Sequence, residues 1–221
     1  MFYFLISTCL LQENFETRKK EYLEGIQSLI NNAKDIPNKK IIIIENSGQY
    51  KTSFLDYFNS YGCEVFYTNT NDPSLEICNK INKNKGRSEL QAIINCIKHY
   101  NISEDDFIVK FTGRYLITEN SPFFQCLKMD NFLLNYDAII KYGSFFQQMR
   151  QPVKVRDCVT GLIGTRCKYV LDIPFHLNKE NMDWYLEWFW AEATYPIPDN
   201  RIIFCVEEMG LNMNSSGGHI I

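Results

Sequence analysis

The sequence lacks the charge excess of a protein that binds polyanions. Among its 221 residues, 23 Lys and Arg stand against 26 Asp and Glu, which gives a formal charge of −3 at pH 7. A general nucleic-acid binder needs a strongly basic surface, so that class is disfavoured. We expect no nucleic-acid partner, and any phosphate contact must be local.

The eight cysteines lack the spacing of a zinc site or of a disulfide framework. The chain has no Cys-x-x-Cys pair and no cluster of cysteines with its three histidines. Several cysteines lie inside apolar runs, which favours reduced thiols in the core of a cytoplasmic protein.

The chain also lacks a recognisable membrane or targeting segment. The apolar run 1–11 has no basic flank and is followed by the polar stretch 12–20, so we expect a buried strand and no membrane span. No linker rich in Gly, Pro or Ser divides the chain. With 45% apolar residues it can bury one core, so we predict a single domain over 1–221.

Strands and helices alternate through the first half. Apolar runs predict strands at Phe2–Ser7, Ile41–Glu45, Cys63–Tyr67 and Asp106–Phe111. Helical spacing predicts helices at Phe15–Asn31, Ser53–Tyr61 and Ser88–Tyr100. This alternation predicts an α/β, Rossmann-like fold with a mostly parallel central sheet and helices on both faces.

The second half is less regular. It predicts strands at Ala138–Tyr142, Cys158–Gly164 and Ile202–Val206, and an aromatic-rich helix at Met182–Ala193. In open α/β sheets ligands bind outside the carboxyl ends of the strands. The polar segments that follow the first four strands are Thr8, Glu45 to Gly48, Asn69 to Asp72, and Lys110 to Tyr115. We expect the functional site there.

Two basic segments suit a diphosphate. Lys85-Gly86-Arg87 stands at a predicted helix N-terminus, where free N–H groups and the helix dipole favour an anion. Lys110 and Arg114 flank the end of the next strand, so four cations could converge on one ligand. The alternative is that Lys85 and Arg87 are solvated surface charges.

This arrangement resembles the nucleotide-sugar half of GT-A glycosyltransferases, particularly the small enzymes of capsule, O-antigen and large-virus glycan clusters. The residues that carry the resemblance are Asn84-Lys85-Gly86 before a helix and the segment DDFIVKFTGRY at 105–115. Those enzymes carry a comparable Lys-Gly-x-x-Glu turn and a Lys-x-Thr-Gly-Arg-Tyr strand end. The likeness continues in the helix that bears Glu187, in Arg201 to Val206 and in the Gly- and Ser-rich tail Gly210 to Gly218.

The resemblance implies a GT-A fold in which residues of about 1–120 bind the nucleotide sugar and those of about 121–221 face the acceptor. It implies transfer of a hexosyl or deoxyhexosyl group from a nucleotide-diphosphate sugar to a hydroxyl of a glycan or other acceptor. The donor-binding candidates are Thr8, Arg18, Glu45, Asn46, Lys85, Gly86, Lys110, Thr112, Gly113 and Arg114.

The sequence departs from the family pattern at the metal site. Most GT-A enzymes carry an Asp-x-Asp motif where this chain has Lys110-Phe111-Thr112. Dependence on a divalent metal, Mn²⁺ or Mg²⁺, therefore stays open, and Lys110 and Arg114 could neutralise the diphosphate by charge-assisted hydrogen bonds. His219 is kept as a candidate metal ligand or diphosphate contact. Asp105 and Asp106 precede the strand and should lie at its opposite end.

The acceptor hydroxyl must be made nucleophilic, and a carboxylate within hydrogen-bond reach is the usual general base. The candidates are Glu187 and Glu192 on the Trp-rich helix, together with Asp183 one turn before Glu187, and the resemblance favours Glu187. The alternative is a core helix whose glutamates point to water. Two other functions remain open: a non-catalytic Rossmann-like nucleotide-binding module, and a sugar nucleotidyltransferase, although no Gly-rich loop follows the first strand.

Overall fold

A computed structural model of the chain describes residues 1–10, 15–48, 53–70, 85–143, 154–155, 157–172 and 186–212. The strands are β1 (Phe2–Thr8), β2 (Lys39–Glu45), β3 (Cys63–Tyr67), β4 (Phe107–Thr112), β5 (Leu116–Ile117), β6 (Ala138–Ile140), β7 (Leu162–Arg166), β8 (Ile202–Phe204) and β9 (Leu211–Asn212). The α-helices are α1 (Phe15–Ala33), α2 (Ser53–Asp56), α3 (Lys85–His99), α4 (Pro122–Leu127), α5 (Phe132–Asn135), α6 (Cys167–Leu171) and α7 (Leu186–Thr194). Two 3₁₀ turns cover Tyr57–Tyr61 and Asp199–Arg201.

The main sheet has the strand order β3-β2-β1-β4-β7-β6-β8, and β5 pairs with β9 in a small second sheet. Strand β1 is parallel to both β2 and β4, β2 is parallel to β3, and β6 is parallel to β8. Strand β7 is antiparallel to its neighbours β4 and β6. The predicted α/β fold with a mostly parallel sheet is therefore confirmed.

Helices cover both faces of this sheet because its central strands are apolar on both sides. On one face, alternate residues of β1 and β4 such as Phe4 and Phe111 pack with α1 and α4. On the other face, Leu5 and Ile108 pack with α3 and α7, whose Trp190 is fully buried. The run of isoleucines in β2 supplies both cores, as expected for a strand without a solvent-facing side.

Helix α1 packs closely on the turn that follows β4. A Cβ atom on Gly25 would lie 2.1 Å from the carbonyl oxygen of Gly113, so only glycine allows this approach. One helical turn later, the Ser28 hydroxyl accepts a hydrogen bond of 2.9 Å from the N–H of Ile117. These contacts fix the segment 113–117, which carries Arg114, against a rigid helix.

Some boundaries in the prediction are wrong. The helix predicted over Ser53–Tyr61 is α2 followed by a 3₁₀ turn, and the strand predicted over Cys158–Gly164 is β7, which begins only at Leu162. The isolated bridge between Cys158 and Tyr142 precedes it. Residues 158–161 form no continuous ladder, because the Val159 N–H donates to Lys141 O just after β6, whereas the carbonyl oxygens of Thr160 and Gly161 accept from Lys110 and Thr112 of β4. Helix α7 is described from Leu186, so the predicted start at Met182 lies outside the described residues.

An ion-pair cluster closes the amino-terminal edge of the parallel strands. Asp137, just before β6, accepts hydrogen bonds of 2.6 and 2.8 Å from Arg201 and one of 3.2 Å from Arg166. Asp106 accepts a bond of 2.9 Å from the amino group of Met1. The prediction that Asp105 and Asp106 lie away from the carboxyl edge is thus confirmed. None of the described helices is both long and apolar enough to cross a membrane.

Candidate functional site

The carboxyl ends of β1 and β4 mark the point where the chain changes direction across the sheet. From β1 the sheet extends through β2 to β3, and from β4 it extends the other way. Strands that diverge in this manner leave a crevice at their carboxyl ends, where α/β proteins bind ligands. Ser7 lies opposite Thr112 at this position, so the predicted polar segments of β1 and β4 are brought together.

Lys110 lies at the centre of this edge, and its side chain is fully buried. Its ammonium donates hydrogen bonds to Thr112 Oγ1 at 2.7 Å and to the carbonyl oxygen of Thr160 at 2.6 Å. It also forms an ion pair with Glu89, with 2.9 Å between Nζ and Oε1. An ammonium has three N–H donors, so these three partners account for all of them.

Glu89, in the first turns of α3, is a residue that the sequence interpretation did not select. Its carboxylate accepts both the Lys110 ammonium and a short hydrogen bond from the Ser7 hydroxyl. It therefore links α3 to β1 and β4. One signal was present: a lysine in the interior of an apolar strand requires a buried counter-charge, and Glu89 is the acid of the Lys-Gly-x-x-Glu turn.

The structure places Glu187 at the same edge. The Thr160 hydroxyl donates a hydrogen bond of 3.2 Å to Glu187 Oε1, and the Cys158 thiol donates to the backbone oxygen of Glu187 at 3.2 Å. Glu187 is half-buried, whereas Glu192 on the same helix is exposed. Of the two acidic candidates on α7, Glu187 is the one joined to the Lys110 cluster.

Asp157 is a second carboxylate near Glu187 that the sequence interpretation missed. Burial raises its pKa, and the negative charge of Glu187 raises it further, against the opposing effect of the Cys158 N–H. Burial also raises the pKa of the neighbouring Cys158 thiol well above its usual value. This cysteine is therefore a neutral thiol, whereas Asp157 and Glu187 form a pair of interacting acids.

Thr8 and Glu45 lie together on the other face of the same edge. The fully buried Glu45 carboxylate accepts the Thr8 hydroxyl at 2.8 Å, the Leu10 N–H at 3.2 Å and the Ser47 N–H at 2.9 Å. It also accepts a short bond from the Ser47 hydroxyl. Four donors saturate a carboxylate, so this pair fixes the two strand-end loops in place.

Three polar side-chain atoms near these loops have no internal partner. Within the part of the chain that the structure describes, Asn46 Oδ1, Thr70 Oγ1 and Ser88 Oγ are buried without a hydrogen bond. Asn46 is only 5% exposed, and its own N–H donates to Thr8 O at 3.2 Å. Unpaired buried polar groups cost roughly 1–3 kcal/mol each, so a bound water or ligand that hydrogen-bonds to these atoms would be stabilised there.

The arginines of the site lie around Tyr115. The Arg114 guanidinium stacks on the Tyr115 ring at 4.9 Å and donates a hydrogen bond of 3.3 Å to its hydroxyl. Burial raises the pKa of Tyr115, Arg114 opposes this shift, the charges of Glu89 and Glu187 add to it, and Arg18 opposes it more weakly. These charged groups therefore surround one ring, although Arg18 itself is paired with Glu21 at 3.1 Å.

The other predicted donor contacts are placed as follows. Thr112 Oγ1 accepts the Lys110 ammonium, and the Gly113 N–H donates to Ser7 O at 3.0 Å. Lys85 and Gly86 form the first turn of α3. The Lys85 side chain, residues 71–84 and His219 lie outside the described part of the structure, so the predicted convergence of four cations stays a prediction.

The strand end where the resemblance implies a metal-binding motif carries an ammonium instead. A divalent cation beside the buried Lys110 would be repelled by a like charge at close range. Among the described residues, no three His, Cys, Asp or Glu side chains come together as a metal site would require. The described residues at this strand end therefore do not fit a divalent cation.

Comparison with known proteins shows similarity at the level of the fold and not of the sequence. No protein-family model and no curated protein sequence matches the chain. Among solved structures, S. aureus TarS is similar with a TM-score of 0.60 at 11% identity over 95% of this chain, and TarS 1–349 with 0.58 at 12% over 95%. The chain spans 36% and 59% of those two structures, respectively.

Two further structures are named for reactions of sugar nucleotides. A protein from Bacillus anthracis named as a glucose-1-phosphate thymidylyltransferase has a TM-score of 0.57 at 11% identity, covering 92% of this chain and 86% of its own. The galactosyltransferase LgtC, solved with donor and acceptor sugar analogues, has a TM-score of 0.51 at 7% identity, covering 91% and 72%. The chain has a GT-A-like fold.

Proposed function

We propose that the protein is a glycosyltransferase that moves a sugar from a nucleotide-diphosphate sugar to a hydroxyl acceptor. The observation that carries the proposal is the Thr160–Glu187 contact, which brings a carboxylate of α7 to the strand end occupied by Lys110 and Thr112. A nucleotide holder has no need of an acid at that position. A transferase in which the acceptor hydroxyl attacks the sugar in a single displacement needs a base next to that hydroxyl.

The donor would lie along the carboxyl edge of β1, β2 and β4. The unpartnered atoms of Asn46, Thr70 and Ser88 supply acceptors and donors for its nucleoside end. Arg114 is the cation for the diphosphate, because in the described part of the chain its guanidinium contacts the Tyr115 ring and hydroxyl rather than a carboxylate. Lys110, whose three N–H donors are bound to Thr112, Thr160 and Glu89, holds the strand end and does not reach the ligand.

Glu187 would act as the general base. As the acceptor oxygen bonds to the anomeric carbon, its proton passes to the Glu187 carboxylate, and the bond from that carbon to the diphosphate breaks. The electron pair leaves with the diphosphate, whose added charge Arg114 stabilises through charge-assisted hydrogen bonds. The negative charge of Glu187 raises the pKa of Asp157, after the larger effect of burial, so a second carboxyl group lies within electrostatic range of the proposed base.

A sugar nucleotidyltransferase is the second candidate, because the TM-score of 0.57 for the B. anthracis protein is no lower than the 0.51 for the galactosyltransferase LgtC. A hexosyl or deoxyhexosyl donor stays a proposal that rests on the sequence.

A cytoplasmic location is also a proposal. It is supported by the cysteines in the described ranges, which are all free thiols; burial raises the pKa of Cys63, for example, to about 11.

The test is a thermal-shift screen of UDP-, GDP- and dTDP-sugars with and without Mn²⁺, followed by analysis of the products. A ligand that binds only the folded state raises Tm. Release of a nucleoside diphosphate from a nucleotide sugar supports a glycosyltransferase, whereas formation of pyrophosphate from a nucleoside triphosphate and a sugar phosphate indicates the second candidate. Binding without turnover under any condition would indicate a non-catalytic module.

A further inference from the structure

Thr160 makes two different contacts that connect the carboxyl end of β4, where the donor would bind, to α7, which carries Glu187. Its backbone oxygen accepts the Lys110 ammonium at 2.6 Å, and its hydroxyl donates to Glu187 Oε1 at 3.2 Å. The first contact belongs to the end of β4 and the second to α7. Through Thr160, the strand end and the carboxylate are held in one hydrogen-bonded chain.

The donor side of this chain is rigid. Lys110 is also held by Thr112 and by Glu89, and Glu89 in turn accepts the Ser7 hydroxyl. All of these groups lie on strands or in the first turns of a helix, and the positive charge of Lys110 is balanced by Glu89. The backbone oxygen of Thr160 therefore meets a cation that has no freedom to move.

The residue that follows Thr160 is fixed as well. Gly161 O accepts the Thr112 N–H at 2.9 Å, and a Cβ atom on Gly161 would lie 2.6 Å from the Leu211 side chain and 3.0 Å from the Tyr115 ring. Backbone held this closely on both sides sets the direction of the Thr160 hydroxyl. Its donated bond restricts the rotation of the Glu187 carboxylate.

We propose that Thr160 is a positioning residue that orients Glu187 for proton transfer, with Lys110 and Glu89 as its anchor. This inference rests on the proposed role of Glu187. The hydroxyl of Thr160 holds Oε1, and the other carboxylate oxygen, Oε2, is the one that takes the proton. Without this bond the carboxylate would sample several rotamers, and only a fraction would be productive.

Two substitutions separate the hydroxyl from the shape of the residue. Thr160→Val keeps the branched outline and both backbone contacts but removes the donor, whereas Thr160→Ser keeps the donor and removes a methyl group. Thr165→Val is a matched control, because Thr165 is also buried and its hydroxyl donates at 3.2 Å to Asp137 O, at the opposite edge of the sheet.

The experiment measures release of nucleoside diphosphate from UDP-glucose, UDP-galactose, GDP-mannose and dTDP-rhamnose, together with donor affinity by calorimetry and Tm. We expect Thr160→Val to lower kcat by about 10-fold with donor affinity unchanged, since loss of one hydrogen bond to a charged group is of that size. Thr160→Ser should retain most of the activity. Thr165→Val should lower Tm without changing kcat.

Three results would overturn the inference. Wild-type kcat in Thr160→Val, while Glu187→Gln is inactive, would remove the positioning role and leave the proposed function intact. Equal losses in Thr160→Val and Thr160→Ser, with lowered Tm, would assign Thr160 to packing. If the wild-type protein neither binds nor turns over any of the four donors, the proposed function fails and this inference fails with it.

Discussion

Lys110 and Glu89 form an ion pair beneath the carboxyl edge of the sheet, with 2.9 Å between Nζ and Oε1. The lysine is fully buried and the glutamate side chain is 20% exposed. The pair joins β4 to α3 on the face of the sheet that α7 also covers. The sequence predicted that Lys110 binds the nucleotide-sugar donor, but all three N–H groups of its ammonium are bound inside the protein.

We expect Lys110→Met to destabilise the fold, because it leaves the Glu89 carboxylate without its counter-charge. Removing one partner of a buried pair costs about 3–5 kcal/mol, and the low end applies here because Glu89 retains some solvent contact. Urea unfolding of Lys110→Met, Glu89→Gln and the double variant measures the coupling. A double variant whose loss equals the sum of the two single losses would show that the pair contributes nothing.

We expect Arg114→Ala to weaken donor binding while the protein stays folded. A charge-assisted hydrogen bond to a diphosphate contributes roughly 1.5–3 kcal/mol, which calorimetry with a nucleoside diphosphate can detect. Lys168→Ala is the matched control, because Lys168 also lies over the ring of the next residue, Tyr169, at 5.1 Å, but belongs to α6. Equal affinities of both variants for the nucleoside diphosphate would show that Arg114 is a surface charge without a role in donor binding.

We expect Glu187→Gln to lower turnover by about 10²- to 10⁴-fold and to leave donor affinity nearly unchanged, as for loss of a general base. Glu192→Gln on the exposed side of α7 is the control and should remain active. Steady-state kinetics and calorimetry on both variants separate the two steps. An inactive Glu192→Gln beside an active Glu187→Gln would mean that the acceptor lies on the other side of the helix.

We expect the ion pairs of Asp137 with Arg201 and Arg166 to make the free energy of unfolding depend on pH in the acidic range. The hydrogen bond from Arg201 lowers the pKa of Asp137 most, burial opposes it, and Arg166 lowers it further. A lowered folded-state pKa stabilises the protein above the unfolded value of about 3.8, and this stability is lost as the pH falls through the folded-state pKa. Asp137→Asn should therefore be less stable than the wild type at pH 7 by roughly 1.5–3 kcal/mol.

This difference should narrow as the pH is lowered past the pKa of the free carboxyl group, because the wild-type group is then protonated as well. Urea unfolding at pH 7 and at the lowest pH where the protein stays folded gives the comparison. A difference that is the same at both values would show that the charge of Asp137 makes no contribution.

The periodicity of the sequence predicted the layers of the fold. Alternation of apolar runs and amphipathic helices gave β1, α1, β2, β3, α3 and β4 in order, because a strand buried on both faces and a helix buried on one have different repeats. Polar residues at the strand ends also indicated the functional edge. The strand predicted over 158–161 was wrong, because the hydrogen bonds of this segment are divided between Lys141, just after β6, and the end of β4, and form no continuous ladder.

By itself, the sequence determined the mostly parallel sheet, its polar carboxyl edge and the presence of two glutamates on the helix that is α7. Only the tertiary structure decided that Lys110 is bound within the protein, that Glu187 rather than Glu192 meets this edge, and that Thr160 connects them. The reason is physical: the position of a polar side chain depends on its hydrogen-bond partner, and that partner can be distant in sequence. Lys110 and Thr160 are 50 positions apart, and Thr160 and Glu187 are 27 positions apart. Local periodicity specifies which face of an element is buried. It carries no information on which distant donor meets which acceptor there.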